Sequence, residues 1–92
     1  MKQFYIYKIQ LDVKKEHIQF VSANSTTAND TRYKVPRAFV AQLIHAGVSF
    51  KVKYIKDKAW HIGAEVDVYD EVFLRSNPNS KAADNLSNLE HF

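Results

Sequence analysis

The chain has 92 residues, of which 46% are hydrophobic, 13% aromatic and 25% charged, with a formal net charge of +3 at pH 7. This length suits one small domain, and the absence of cysteine excludes disulfides, thiolate zinc sites and cysteine nucleophiles. The mild positive charge does not identify a nucleic-acid binder, because such proteins concentrate their cations in a patch. No apolar run is long enough for a membrane span or a signal peptide, so we expect a cytoplasmic location and no membrane contact.

The N-terminal third is expected to form two strands and a loop. Apolar and polar residues alternate over the first segment, which predicts a half-buried strand whose buried face carries Tyr5, Tyr7, Ile9, Leu11 and Val13. A second strand begins at Ile18 and is expected to pair with the first as a hairpin. Residues 22–31 are rich in turn-forming types, which predicts a mobile loop.

The segment Val35–Gly47 is expected to form the helix of the domain. Pro36 suits the first helical position, where a missing N–H has no cost. No Ser, Thr, Asp or Asn directly precedes this proline, so the N-cap is weak. Gly47 is placed to adopt the left-handed conformation that ends a helix. Helical spacing predicts an apolar stripe of Phe39, Val40, Leu43 and Ile44.

The period of two returns after the helix and predicts three more strands, at residues 48–54, 62–69 and 72–74. The resulting order, ββαβββ, favours an α+β fold in which one helix packs on a largely antiparallel sheet in two layers. We expect residues 1–92 to form a single domain, because neither side of the loop at 22–31 could build a core alone.

Catalysis and metal binding have no recognisable pattern in this sequence. The histidines fall on four different elements, at His17, His45, His61 and His91, without a second ligand at metal spacing. Glu65 and Asp67 share one strand face and could serve as paired acid and base. Their alternation with apolar residues favours a solvated strand face instead. We therefore expect no enzyme and no catalytic, cofactor-binding or metal-binding residues.

One group of cations beside a tryptophan is a candidate nucleic-acid surface, formed by Lys51, Lys53, Lys56, Lys58 and Trp60. Such a sheet surface could follow a phosphate backbone and stack a base. The simpler interpretation is that the lysines protect an exposed strand from aggregation while Trp60 packs at the rim of the core. Glu65 and Asp67 on the neighbouring strand would also weaken a positive field.

The C-terminal stretch LRSNPNSKAADNLSNLEHF combines turn chemistry with spaced apolar residues. Leu86, Leu89 and Phe92 recur every three residues and Asp84 is a suitable N-cap, which predicts a clasp over residues 76–92. The stretch resembles the signature of domain-of-unknown-function family 3892, a family of small bacterial and phage-associated proteins. The segments EHIQFV, VPRAFVAQLIHAG and GAEVDVYD are also similar to that family. The resemblance implies one domain and no known activity.

Arg75, Asp84 and Asn85 are the polar residues of this signature that we take as a candidate interaction site. They could receive the backbone or an anion of a partner, or Arg75 could pair with Asp84 and hold the clasp down. Our first hypothesis of function is a non-catalytic protein-interaction domain that binds another protein or a second copy of itself. A phage- or mobile-element-encoded modulator of a host factor is one version of it. Exposed edge strands would suit such association.

Overall fold

A computed structural model describes residues 3–25, 31–76, 86 and 89–92 of the chain. Within them one α-helix accompanies a mostly antiparallel sheet, so the α+β class predicted from the sequence is confirmed. In chain order the elements are β1 (Gln3–Leu11), β2 (Ile18–Asn24), β3 (Tyr33–Pro36), α1 (Arg37–His45), β4 (Ser49–Lys56), β5 (Ala59–Tyr69), β6 (Phe73–Ser76) and β7 (Glu90–His91).

The strands form one mixed sheet in the order β3-β2-β1-β4-β5-β6, with β7 paired to β1. All pairs are antiparallel except β1–β4 and β1–β7. β4 pairs with β1 from Gln3 to Ile6, and β7 pairs with Lys8 and Ile9 farther along the same strand. The C-terminal residues therefore lie beside β1 where β4 has diverged from it.

The sheet curls until its two end strands approach each other. The ring of His17, in the turn before β2, stacks on Phe73 of β6 with centroids 4.2 Å apart. The guanidinium of Arg37, directly after β3, lies 4.6 Å from the centroid of the same ring. The helix contacts strands of both halves of the sheet.

The hydrophobic core draws on strands, helix and C-terminal segment together. Its most completely buried side chains are Phe50, Ile6, Ile9, Leu86, Val21, Val40 and Val52. Leu89 joins the same cluster, so two residues of the C-terminal segment pack on their own chain. Since burying one large apolar side chain stabilises a fold by about 1.5–3 kcal/mol, this segment contributes to the stability of the domain.

The predicted buried face of β1 is wrong in part, because the strand contains a β-bulge. The pairing with β2 shifts between Ile6 and Lys8, so one extra residue enters β1 there. The inserted residue reverses the alternation of faces. Ile6, which is not on the predicted face, is fully buried, and Tyr7 and Ile9 beyond the bulge are buried as predicted. Val13 is exposed for another reason, because it lies in the turn after the strand.

The helix begins at Arg37, two residues later than predicted. Pro36 is not its first residue but its N-cap, with φ −63° and ψ 143°, and it also ends β3, a strand that the sequence did not predict. No described side chain caps this end by a hydrogen bond, in agreement with the weak cap expected. Gly47 has the expected positive φ, +99°. Phe39 is exposed, so it does not belong to the buried stripe.

The loop predicted at residues 22–31 is shorter than expected. β2 continues to Asn24, and Ala23 and Asn24 are buried. The Asn24 side chain explains this polar burial, because its Oδ1 accepts a hydrogen bond from the Tyr7 hydroxyl at 2.9 Å and its Nδ2 donates to Thr31 O at 3.2 Å. Residues 26–30 lie outside the described part of the chain.

Candidate functional site

The outer half of the β4–β5 hairpin, residues 53–62, forms a two-stranded ribbon that we call the arm. Asp57 and Lys58 form its turn with φ values of 54° and 64°, as a type I′ turn requires. β1 pairs with β4 only as far as Val52, and β6 pairs with β5 only from Val66 onward. Among the described residues, no third strand therefore pairs with the arm.

One face of the arm carries an exposed apolar patch. The pairs Lys53–Ile62 and Ile55–Trp60 place these residues on the same side of the ribbon. Ile55, Trp60 and Ile62 are 57%, 49% and 53% exposed. We call these three residues the arm patch. The strands predicted at residues 48–54 and 62–69 leave Ile55 and Trp60 between them, whereas both residues lie within the longer strands of the ribbon.

Two cations and three aromatic rings meet at the base of the arm in a group that we call the cation–aromatic cluster. The Lys53 Nζ lies 4.9 Å from the ring centroid of Tyr5, 5.8 Å from that of Tyr7 and 5.9 Å from that of Trp60. The Arg32 Cζ lies 3.9 Å from the Tyr7 centroid and 5.2 Å from the Trp60 centroid. Tyr7 and Trp60 meet edge to face with centroids 5.5 Å apart. Cation–π attraction of this kind contributes about 0.5–2 kcal/mol per contact.

Lys53 is buried because aromatic rings cover its side chain on the face opposite Val52. The β4–β5 pairing also shifts between Lys51 and Lys53, with the extra residue in β5. Lys53 is only 6% exposed. The sequence prediction that Lys53 lies on an exposed basic face is therefore wrong. The sequence did not identify Arg32 as a site residue, because a single arginine before β3 has no local pattern that places it beside Lys53.

The cluster contains two neighbouring cations, and no counter-charge pairs with either of them among the described residues. Burial lowers the pKa of Lys53, and the positive charge of Arg32 lowers it further. The Arg32 Nε is buried and has no hydrogen-bond partner among the described residues. Within the described residues, the ion pair joins Lys8 and Glu90 at 3.6 Å. Neither Arg32 nor Lys53 forms an ion pair with a carboxylate of these residues.

We expect the Lys53 ammonium to titrate below the pKa of 10.5 that is usual for lysine. The unfolded chain then binds more protons than the folded one between the lowered pKa and 10.5, so stability rises with pH across that window. Side-chain NMR titration of the folded protein checks this, with Lys53→Met identifying the resonance. A Lys53 resonance that titrates with the lysines of the unfolded chain would contradict it.

The other residues of the predicted nucleic-acid surface lie on or next to the arm. Lys56 and Lys58 are exposed at its tip. Lys51 lies opposite Glu65 in the β4–β5 pairing, which is the cross-strand arrangement expected from the sequence. The structure therefore brings these lysines and Trp60 onto one hairpin, but it withdraws Lys53 from the solvent.

Of the three signature residues, the structure describes Arg75 alone. Arg75 is exposed, lies opposite Asp67 in the β5–β6 pairing, and its Cζ is 5.5 Å from the Tyr69 ring centroid. Asp84 and Asn85 lie outside the described residues. The pairing of Arg75 with Asp84 stays a prediction.

A cavity of about 290 Å³ adjoins the cluster and is lined by Tyr7, Arg32, Trp60 and Glu90 among others. Its polar lining comes from side chains of β1, β7 and the segment before β3. The described residues contain no group of three histidine or carboxylate side chains that could hold a metal ion. None of the helical structure described here has the length and apolar character needed to cross a membrane.

No curated protein and no solved structure matches the chain. A family model does match, over residues 5–90, and its description reads "Protein of unknown function (DUF3892)". The match runs from Tyr5 in β1 through the arm, β6 and Arg75 to Glu90, so it includes all but the last two residues of the C-terminal stretch. It confirms the resemblance noted in the sequence, and the chain belongs to the DUF3892 family.

Proposed function

We propose that this chain is a non-catalytic protein-interaction domain whose contact surface is the arm patch. The observation that carries the proposal is the exposure of Ile55, Trp60 and Ile62 on one face of a two-stranded ribbon. Small monomers seldom leave neighbouring large apolar side chains in water. Tryptophan is also the residue type most enriched where binding energy concentrates in protein interfaces. In this proposal the helix and the sheet form the two layers of a single domain that presents the arm.

Strand addition is the mode of binding that suits this arm. Its outer edges offer backbone N–H and C=O groups that another extended segment can pair with. The partner would add a strand and place apolar side chains on the patch. Lys56 and Lys58 at the tip would accelerate encounter with an acidic partner and oppose aggregation of free arms. A host factor bound by a phage-encoded protein, or a second copy of this chain, fits this mode.

Affinity capture from a bacterial lysate tests the proposal, with and without nuclease and at low and high salt. The double variant Ile55→Glu and Ile62→Glu replaces two of the three residues of the patch and keeps Trp60. We expect the wild type to retain a protein partner. The double variant should retain at least about ten-fold less of that partner, because it lacks two anchors of the interface. Val13→Glu places the same charge on an exposed apolar position away from the arm and should bind as the wild type does.

Equal retention by the double variant and by Val13→Glu would contradict the proposal. If the partner is a second copy of the chain, sedimentation equilibrium measures the dimer directly. The wild type and Val13→Glu should then form dimers, and the double variant should not. Captured material that disappears with nuclease and with salt would favour the second candidate function, nucleic-acid binding. The observation behind that alternative is the proximity of Lys51, Lys56, Lys58 and Trp60 on one hairpin.

A further inference from the structure

We propose that the cation–aromatic cluster and its adjoining cavity bind a nucleotide, with the phosphate on Arg32 at the cavity wall, the buried Lys53 charge behind it, and the base stacked on Trp60. This site shares Trp60 and Ile55 with the arm patch, but its charged groups, Arg32 and Lys53, have no part in the proposed protein binding. The ligand class is a phosphate ester that carries a planar base. It can come from a free nucleotide or from a single-stranded nucleic acid.

The first argument concerns charge. A buried cation is ordinarily paired with an anion, because moving the charged group out of water costs about several kcal/mol. Lys53 is more than nine-tenths buried, and its nearest charged neighbour in the cluster, Arg32, has the same sign. The Arg32 Nε is buried and unbonded among the described residues. A bound anion would supply a counter-charge that both groups lack among the described residues, and it would accept the Arg32 Nε–H.

The second argument concerns the shape of the anion. A guanidinium offers a planar fork of donors that matches two oxygens of a phosphate, and a lysine adds a point charge beside it. The carboxylate on the cavity wall, Glu90, is already engaged, because its Oε2 lies 3.6 Å from the Lys8 Nζ. Lys8 also lines the cavity and offsets the charge of Glu90, so Arg32 gives the described part of the wall its net positive charge.

The third argument concerns the group attached to the phosphate. Trp60 contacts Arg32 with part of its ring system and remains about half exposed beside the cavity. Stacking of a base on an aromatic side chain contributes about 1–3 kcal/mol and needs no particular base. The cavity, about 290 Å³, is close to the lower limit of small-ligand sites, so it suits one nucleotide unit.

Binding of three probes to the full chain tests the site: inorganic phosphate, adenosine monophosphate and a short oligothymidylate. Titration calorimetry and Trp60 fluorescence are the measurements, and Trp60 is the single tryptophan of the chain. We expect the adenosine monophosphate to bind more tightly than phosphate and to change the fluorescence. Lys53→Met and Arg32→Gln should each weaken nucleotide binding by about ten-fold or more.

Arg37→Gln is the matched control. Like Arg32, Arg37 has its guanidinium over an aromatic ring and a buried Nε without a partner among the described residues. It contacts Phe73 at the other end of the sheet, so this variant should bind nucleotide as the wild type does. An oligothymidylate that binds more tightly than the monophosphate, with strong salt dependence, would assign the site to single-stranded nucleic acid. Equal or weaker binding of the oligomer would assign it to a free nucleotide.

Equal affinity of the wild type, Lys53→Met and Arg32→Gln for the monophosphate would overturn the proposal, as would no binding by the wild type. Where a cluster variant does not fold, NMR of the wild type decides. The indole N–H of Trp60 and the Nε–H of Arg32 must then shift on addition of the monophosphate. Shifts confined to other residues would also overturn it.

Discussion

Replacing Leu86 with alanine is expected to lower the free energy of unfolding by about 2–5 kcal/mol. Leu86 is 2% exposed and packs in the same core cluster as Ile9 and Val21 of the central strands. The truncation removes apolar contacts and leaves a cavity that the surrounding side chains fill only in part. Urea unfolding followed by circular dichroism measures the change.

Phe92→Ala is the control for this prediction, because Phe92 is a larger apolar residue of the same segment but is 40% exposed. Its backbone N–H donates to Ile9 O at 3.1 Å, and alanine keeps this hydrogen bond. We expect a loss below about 1 kcal/mol for Phe92→Ala. Similar small losses for both variants would mean that the C-terminal segment does not belong to the core.

The two halves of this comparison show what regular spacing can and cannot predict. The three-residue recurrence of Leu86, Leu89 and Phe92 predicted three anchors, and the first two are buried. The recurrence fails at Phe92 because Glu90 and His91 are extended and pair with β1 as β7. A helical period does not continue into an extended strand, and that strand depends on a distant partner that the local sequence does not reveal.

Bulges account for the largest errors along the strands. Alternation predicted a buried Tyr5 face and an exposed Lys53 face, because every residue of an unbroken strand changes side. In β1 one extra residue enters between Ile6 and Lys8, so the residues before it face the opposite way from those after it. In the β4–β5 pair the extra residue lies in β5, between Ile62 and Glu65, and this stretch contains Gly63. A glycine inside a strand pattern is a local sign of a bulge, whereas the insertion in β1 has no such sign.

The candidate site was predictable only where its residues are neighbours in sequence. Lys56, Lys58 and Trp60 were placed together because a tight hairpin needs only a few residues. Arg32 reaches the same site from the segment before β3, through the long-range pairing of β2 with both β1 and β3. The helix, by contrast, was predicted well in its last turn, because Gly47 carries a local conformational requirement.

Replacing Phe50 with alanine is expected to cost about 3–5 kcal/mol of the free energy of unfolding. Phe50 is 1% exposed and its ring stacks on that of Phe4, with centroids 5.2 Å apart, where β4 and β1 pair in parallel. A domain of this size has a total stability of roughly 5–14 kcal/mol. The variant should therefore unfold at a much lower urea concentration than the wild type, which equilibrium denaturation measures directly.

Phe39→Ala removes the same side chain from a position that helical spacing assigned to the core. Phe39 is 52% exposed on α1, since the buried face of that helix passes through Val40 and Ala41 instead. We expect a loss below about 1 kcal/mol, because most of the ring is already in contact with water and its removal opens no internal cavity. A cost for Phe39→Ala equal to that of Phe50→Ala would contradict this prediction. It would place Phe39 beside Val40 in the buried stripe, as helical spacing predicted.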